Sequence, residues 1–203
     1  MIALGFFFLL RPGEYCISSG NTDSTPFRIQ DTQRFQGQIR LNFFSVTDAK
    51  LLAVTFSTAL EVTDQKNAVR GEVVGLAPSG DIKLCPCRAL ARRIIYLRQH
   101  NAHATTTLAQ FYSGTRLCSI TPDKVTKTLQ AAVTFLGPSL GFEPADVTAL
   151  SLRAAGVNAL LQFSVLKSTL NLDTIRLLGR WRSDEMLRYL YDQAEPITCY
   201  APF

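Results

Sequence analysis

The pattern of apolar and polar positions is most regular in the last quarter of the chain, between residues 150 and 192. It predicts two helices, a tight turn at residues 179–181 and a third, shorter helix. Gly179 follows the last apolar position of the middle helix, and glycine commonly ends helices at such a position. Ser183 is a favourable N-cap for the third helix, and two acidic residues follow it, where the helix dipole stabilises negative charge.

The third predicted helix contains two tyrosines, and the helical period separates them. Its apolar residues and Tyr191 fall on one side, at the spacing of an amphipathic helix that packs on a core. Tyr189 falls on the opposite side, near Arg182. The pattern therefore predicts that Tyr189 presents its phenol to solvent beside a cationic side chain.

Two strands are predicted in the N-terminal third of the chain. The apolar alternation over Leu51–Val62 and Ala68–Val74 is typical of an antiparallel pair, joined by a turn with Lys66 at its tip. Residues 27–41 show no clear period. A lysine in a turn is usually solvated, so the position of Lys66 alone assigns it no function.

Helices are predicted on both sides of this strand pair. The first ten residues are apolar and predict a buried helix. A basic amphipathic helix begins near Pro86, and a further helix, capped by Thr121, extends to Phe135. The predicted fold class is therefore mainly α with a small antiparallel β-sheet (α+β).

The composition fits one domain with no membrane span. The chain has 203 residues, 47% of them hydrophobic, which is enough for a full core, and no low-complexity tract divides it. Its ten-residue apolar opening is much shorter than the about 20 residues of a membrane helix and has no signal-peptide features. The five cysteines favour a reducing intracellular compartment, the nucleus or the cytoplasm.

The net charge and the motifs of the sequence exclude only a few kinds of functional site. A net charge of +5 permits a polyanionic partner without requiring one. Cys85 and Cys87 are too close in sequence for a zinc knuckle, and His100 and His103 lack the glutamate of a metalloprotease motif, so no metal site is predicted. The sequence also lacks a Walker phosphate loop and a Gly-x-Ser-x-Gly elbow.

The order of five residues resembles the catalytic domain of the tyrosine recombinase, or phage-integrase, family. Arg153 is followed by the Gly-Arg-Trp turn and by Tyr189, eight positions beyond Trp181, and LLGRWRSDEMLRYL is especially similar to Crypton-like and DIRS-like integrases of eukaryotic mobile elements. FFFLLRPGEY is similar to the family's first box, with Arg11 as its arginine. QKNAVRGE is similar to the family's hairpin segment, with Lys66 as its lysine.

This resemblance implies breakage and rejoining of DNA without a metal or other cofactor. Tyr189 would attack the scissile phosphate and form a 3′-phosphotyrosine. A phenol has a pKa near ~10 and needs activation, which Arg11 and Arg153 would supply while stabilising the transition state, by on the order of 3 kcal/mol each. Lys66 would protonate the leaving oxygen, and Trp181 would donate its indole N–H to a phosphate oxygen.

The same resemblance implies double-stranded DNA as the partner and a homo-oligomer on DNA, the synaptic tetramer. Arg88 and Arg92 of the basic helix, together with Arg182, are the predicted DNA-binding residues, although that helix could equally present a solvated face. The sequence starts inside the predicted core helix. We therefore expect one catalytic domain over residues 1–203, without the family's N-terminal DNA-clamping domain.

The clear departure from the family is at Leu150. The family has a histidine, less often a lysine, three residues before the second arginine, and a missing general acid–base group slows such a step by ~100-fold or more. The family's Gly-Gly after that arginine is Ala155-Gly156 here. We expected the side chains of Leu150 and Arg153 to point the same way, because they lie one helical turn apart.

Two alternatives follow from these departures and from the weakness of each motif alone. The chain could be a catalytically inactive DNA-binding remnant of a mobile element. It could instead be an unrelated helical protein-interaction domain, in which Arg11 caps a helix C-terminus, Trp181 is a core residue and the arginines are surface charges. The recombinase hypothesis requires Arg11, Arg153 and Tyr189 to converge on one basic face.

Overall fold

The chain folds into helices and two antiparallel sheets, a mixed α+β architecture. The computed structural model describes residues 1–18, 25–53, 56–62, 72–141, 143–167 and 171–181. Within these parts, the helices are α1 (Ile2–Phe7), α2 (Pro12–Tyr15), α3 (Asp48–Leu52), α4 (Pro86–Gln99), α5 (Pro122–Leu136), α6 (Ser151–Lys167) and α7 (Leu172–Leu178). The strands are β1 (Thr32–Gln36), β2 (Ile39–Arg40), β3 (Phe56–Val62), β4 (Glu72–Leu76), β5 (Gln110–Ser113) and β6 (Arg116–Ser119).

The larger sheet has four antiparallel strands in the order β2-β1-β3-β4. The predicted strand pair corresponds to β3 and β4, but the predicted start at Leu51 is wrong. Leu51 is buried in helix α3, which begins where the Thr47 hydroxyl accepts a hydrogen bond from the Lys50 amide (3.3 Å). The alternation of apolar residues did not reveal this N-cap, so the prediction joined a short helix to the strand.

The remaining β structure was not predicted. Strands β1 and β2 form within residues 27–41, where the sequence showed no clear period, and β5 pairs with β6 as a separate hairpin. These strands have only two to five residues, too few for a period-2 pattern to stand out. By contrast, the predictions of α4 from Pro86 and of α5 after the Thr121 cap are confirmed.

The buried apolar residues of the described chain form two clusters, and residues 4–10 contribute to both. The larger cluster packs Leu4, Phe8 and Leu10 against α4 and the loops around it. The smaller cluster joins Leu9 to α6, α7 and Trp181. The predicted burial of the opening apolar segment is thereby confirmed for these residues.

Helices α1 and α6 approach each other closely at Gly156. A Cβ atom at this position would overlap the carbonyl oxygen of Phe6 and the side chain of Leu9. Glycine is therefore required for the contact, which brings the chain that follows α1 close to the beginning of α6. Within the described residues, no helix combines the length and apolar character needed to cross a membrane.

Candidate functional site

Three distant segments of the chain meet in one group of polar side chains. The group consists of Arg11 and Glu14 at α2, Arg153 in the first turn of α6, and Arg180 and Trp181 after α7; we call it the arginine cluster. Its members are linked by two ion pairs, a hydrogen bond to the Gly179 carbonyl and a ring contact. Three of the predicted catalytic residues, Arg11, Arg153 and Trp181, therefore belong to one connected group.

Arg11 begins helix α2. Its backbone has extended dihedral angles, its amide donates a 2.7 Å hydrogen bond to Oε2 of Glu14, and Pro12 occupies the first helical position. Its guanidinium lies 3.9 Å from Oε1 of the same carboxylate, and the side chain remains 23% exposed. Arg11 thus caps the N-terminus of α2, whereas the alternative interpretation assigned it to a helix C-terminus.

Glu14 is the buried anion of the cluster. Its Oε2 atom accepts a 2.8 Å hydrogen bond from Nη2 of Arg180, and both side chains are 2% exposed. The two residues are 166 positions apart in the sequence. A buried carboxylate is costly unless it is paired, and here it accepts hydrogen bonds from the Arg180 guanidinium and the Arg11 amide, with the Arg11 guanidinium 3.9 Å away.

Arg153 is held against Trp181. Its Nη2 atom donates a 2.6 Å hydrogen bond to the Gly179 carbonyl, and its guanidinium carbon lies 4.3 Å from the centroid of the indole ring. Both residues are buried, and Trp181 also packs on Leu9 and Val157. Cation–π attraction and core packing therefore act on the same tryptophan, and the core role of Trp181 is compatible with its predicted catalytic role.

The turn between α7 and Trp181 depends on Gly179. This glycine ends α7, as predicted, and a Cβ atom on it would overlap the ring of Trp181. The Trp181 amide donates to the Arg176 carbonyl (3.0 Å), and Nε of Arg176 donates to the Trp181 carbonyl (3.3 Å). These contacts fix the indole over the helix end, where Arg153 meets it.

The chemistry available to the cluster is recognition of an anion. Arg11 and Arg180 pair with the Glu14 carboxylate, Arg153 lies on the Trp181 ring, and guanidinium forks match the geometry of phosphate oxygens. Nη1 of Arg11 makes no hydrogen bond within the described part of the chain, and Arg11 is the partly exposed member. That nitrogen is itself buried beside Glu14, so only the remaining, partly exposed portion of the Arg11 side chain is open to solvent.

Leu150 and Arg153 differ in their exposure to solvent. Leu150 precedes the first residue of α6 and is 60% exposed, whereas Arg153 is 2% exposed. The sequence has two histidines, and each is engaged elsewhere. His100 stacks on the ring of Tyr112 (4.7 Å between centroids), and His103 lies within hydrogen-bonding distance of the Thr105 hydroxyl (3.0 Å).

The arginines of α4 separate into two pairs. Arg92 is exposed and donates a long, 3.3 Å hydrogen bond to the Ile82 carbonyl. Arg88 is half-buried, and its Nε atom has no hydrogen-bond partner among the described residues. The other two donate to main-chain carbonyls of neighbouring segments: Arg93 to Leu108 and Gln110, Arg98 to Phe43 and Val46. Only Arg88 and Arg92 therefore remain candidates for DNA contact on this helix.

Three predicted site residues, Lys66, Arg182 and Tyr189, lie outside the described residues, and their roles stay predictions. The sequence pattern assigns Arg180 no role beyond the turn. Its ion pair with Glu14 was not visible in the sequence, although the Arg-x-x-Glu spacing at residues 11–14 was a local sign that Glu14 accompanies Arg11.

No group of three or more His, Cys, Asp or Glu side chains suitable for a metal ion occurs in the part of the chain that the structure describes. Comparison with known proteins adds no assignment. No protein-family model, no curated protein and no solved structure matches the chain.

Proposed function

We propose that this chain is a catalytic domain of the tyrosine recombinase type, which breaks and rejoins double-stranded DNA through a 3′-phosphotyrosine intermediate. The observation that supports the proposal is the link from Arg11, through the Glu14–Arg180 ion pair and the turn at 179–181, to the contact of Arg153 with Trp181. The resemblance selected Arg11, Arg153 and Trp181 from opposite ends of the sequence. An interaction domain with arginines as surface charges gives no reason to bury Arg153 and Arg180. Burial of a charged side chain is costly unless it is paired, and Arg180 is paired with Glu14 while Arg153 binds the Gly179 carbonyl and the Trp181 ring.

In the proposed reaction, the arginine cluster holds and polarises the scissile phosphate. Arg11 approaches the phosphate oxygens from the exposed side, and Arg153, fixed on Trp181, contributes a cation whose orientation is set before DNA binds. The phenol oxygen of Tyr189 forms the bond to phosphorus as its proton passes to solvent water. The bond to the 5′ oxygen breaks, and Lys66 supplies the proton to that oxygen.

The second candidate function is a DNA-binding remnant without catalysis, and Leu150 favours it. The exposed leucine at the family's histidine position can neither donate nor accept a proton, and both histidines make contacts elsewhere. Such a remnant would bind duplex DNA with strong salt dependence and would form no covalent adduct. For the active form we propose assembly as a homo-oligomer on DNA, within the nucleus or cytoplasm.

A covalent-trapping assay distinguishes these functions. Purified protein is incubated with nicked duplex DNA and analysed on a denaturing gel, with Tyr189→Phe as the test variant and Tyr191→Phe as the matched control. An adduct that disappears only in Tyr189→Phe supports the recombinase proposal. Salt-dependent DNA binding without an adduct supports the remnant, and the absence of any preference for DNA contradicts both.

A further inference from the structure

Arg180 has a backbone conformation that arginine rarely adopts. Its φ angle is 57°, in the left-handed region, whereas the adjacent Gly179 has an ordinary φ of −81°. The turn therefore uses its glycine to make room for the Trp181 ring, and places an arginine where glycine would be conformationally favoured. A non-glycine residue keeps left-handed backbone angles only where surrounding contacts stabilise them. Such residues are concentrated at functional sites.

An ion pair with Glu14 holds the side chain of Arg180. Both side chains are 2% exposed and their charged atoms are 2.8 Å apart. The Arg180 amide also donates to the Leu177 carbonyl (3.0 Å), so its main chain is tied to the end of α7. The side chain and the backbone of Arg180 together determine the direction in which the chain leaves α7, and Trp181 is the next residue.

We propose that Glu14 and Arg180 are positioning residues of the arginine cluster. Their ion pair seats the Trp181 ring on Arg153, and because the same carboxylate binds the Arg11 amide, it also sets the separation between Arg11 and Arg153. A buried pair is seldom needed for stability alone, since apolar residues of similar volume often stabilise as well. The consequence for strand cleavage rests on the proposed function, whereas the effect on Trp181 does not.

Fluorescence tests the positioning directly, because Trp181 is the only tryptophan in the sequence. Arg180→Met removes the charge and keeps the side-chain length, and Arg180→Lys keeps the charge. We expect red-shifted emission and stronger acrylamide quenching for Arg180→Met and Glu14→Gln, with emission closer to that of the native protein for Arg180→Lys. The matched control is Asp48→Asn, which breaks the ion pair with Arg98 between α3 and α4.

Emission is compared under conditions where far-UV circular dichroism shows each variant to be folded. If Arg180→Met does not fold, Glu14→Asp replaces it, because this variant keeps the carboxylate but shortens its reach, and the same red shift is expected. Native-like emission from folded Arg180→Met and Glu14→Gln, or an equal shift from Asp48→Asn, would overturn the inference.

The covalent-trapping assay extends the test to cleavage. We expect Glu14→Gln to slow adduct formation by on the order of 100-fold, the loss that a displacement of about 1 Å can cause, with little change in the DNA concentration needed for half-maximal rate. Equal rates for Glu14→Gln and the native protein contradict the positioning role. If the native protein itself forms no adduct, the proposed function fails, and the fluorescence result still decides whether Glu14 and Arg180 position Trp181.

Discussion

The guanidinium of Arg153 stacks on the Trp181 ring at 4.3 Å and donates to the carbonyl of Gly179, two residues before that ring. A single buried side chain thus joins the first turn of α6 to the turn that follows α7. The contact fixes the orientation of the guanidinium and keeps it out of water. Electrostatic interactions are stronger in the protein interior than in water.

Arg153→Met is expected to lower the free energy of unfolding by about 2 to 4 kcal/mol, since it removes a desolvated cation–π contact and a charge-assisted hydrogen bond. Arg153→Lys should lower the free energy of unfolding by less, because lysine retains the positive charge. Urea denaturation followed by far-UV circular dichroism measures both. The exposed Arg116 is the control, and its replacement by Met should change stability by less than about 0.5 kcal/mol. An equal loss from both Met variants contradicts the role of the contact.

Gly156→Ala is expected to destabilise the protein even though alanine is the better helix former. The preference of about 1 kcal/mol for alanine in a helix is opposed by overlap of its methyl group with the Phe6 carbonyl oxygen, and overpacking typically costs about 1–3 kcal/mol. Thermal unfolding provides the measurement. Ala155→Ser, at the adjacent exposed position, is the control; a Gly156→Ala protein as stable as this control would show that α1 and α6 can move apart freely.

Stability should fall in alkali because of two adjacent buried groups. Burial raises the pKa of the Cys16 thiol from 9.0 to about 12 and also raises the pKa of Tyr15, whose hydroxyl donates to the Ala149 carbonyl (2.7 Å). The unfolded chain loses these protons at lower pH than the folded protein does. The stabilisation is therefore complete below about pH 9 and declines as the pH rises towards 12.

Urea denaturation between pH 7 and pH 11 measures this decline. Cys16→Ala should be less stable at neutral pH, because it leaves a small cavity, but its stability should depend less steeply on alkaline pH. A variant with the same slope as the native protein would show that Cys16 does not contribute to the decline.

Leu150→His should be tolerated by the fold and should increase any cleavage activity. Leu150 is 60% exposed, so the expected stability change is within about 0.5 kcal/mol. Under the proposed function, the imidazole supplies a missing proton donor or acceptor, and adducts should form up to ~100-fold faster. Leu177→His, also exposed, controls for an added histidine. A similar increase in the rate of adduct formation in both variants would show that a histidine at position 150 has no special effect.

Arg92→Gln should reduce the salt dependence of DNA binding without affecting stability. Arg92 is exposed and its only hydrogen bond in the described region is long, so it is available to a phosphate. Loss of one phosphate contact lowers the slope of log Kobs against log salt by about 0.9. Fluorescence anisotropy of labelled duplex DNA measures the slope. Arg116→Gln, in the β5-β6 hairpin, is the control, and equal changes would indicate a non-specific effect of net charge.

Local signals in the sequence determined most of the helices and the position of the turn. Pro86 and Thr121 mark helix starts, and Gly179 marks a helix end, because each satisfies or terminates main-chain hydrogen bonding within a few residues of itself. The same local logic was wrong at Leu51, where the Thr47 cap starts a helix that apolar alternation had assigned to a strand.

Only the tertiary structure decided which charges meet. The sequence selected Arg11, Arg153 and Trp181 by resemblance, but the buried pair of Glu14 with Arg180 joins positions 166 residues apart, and no local period encodes such a pairing. Both side chains are 2% exposed, so folding removes them from water. Once the water is excluded, each buried charge must find a partner, and the fold determines which partner it finds.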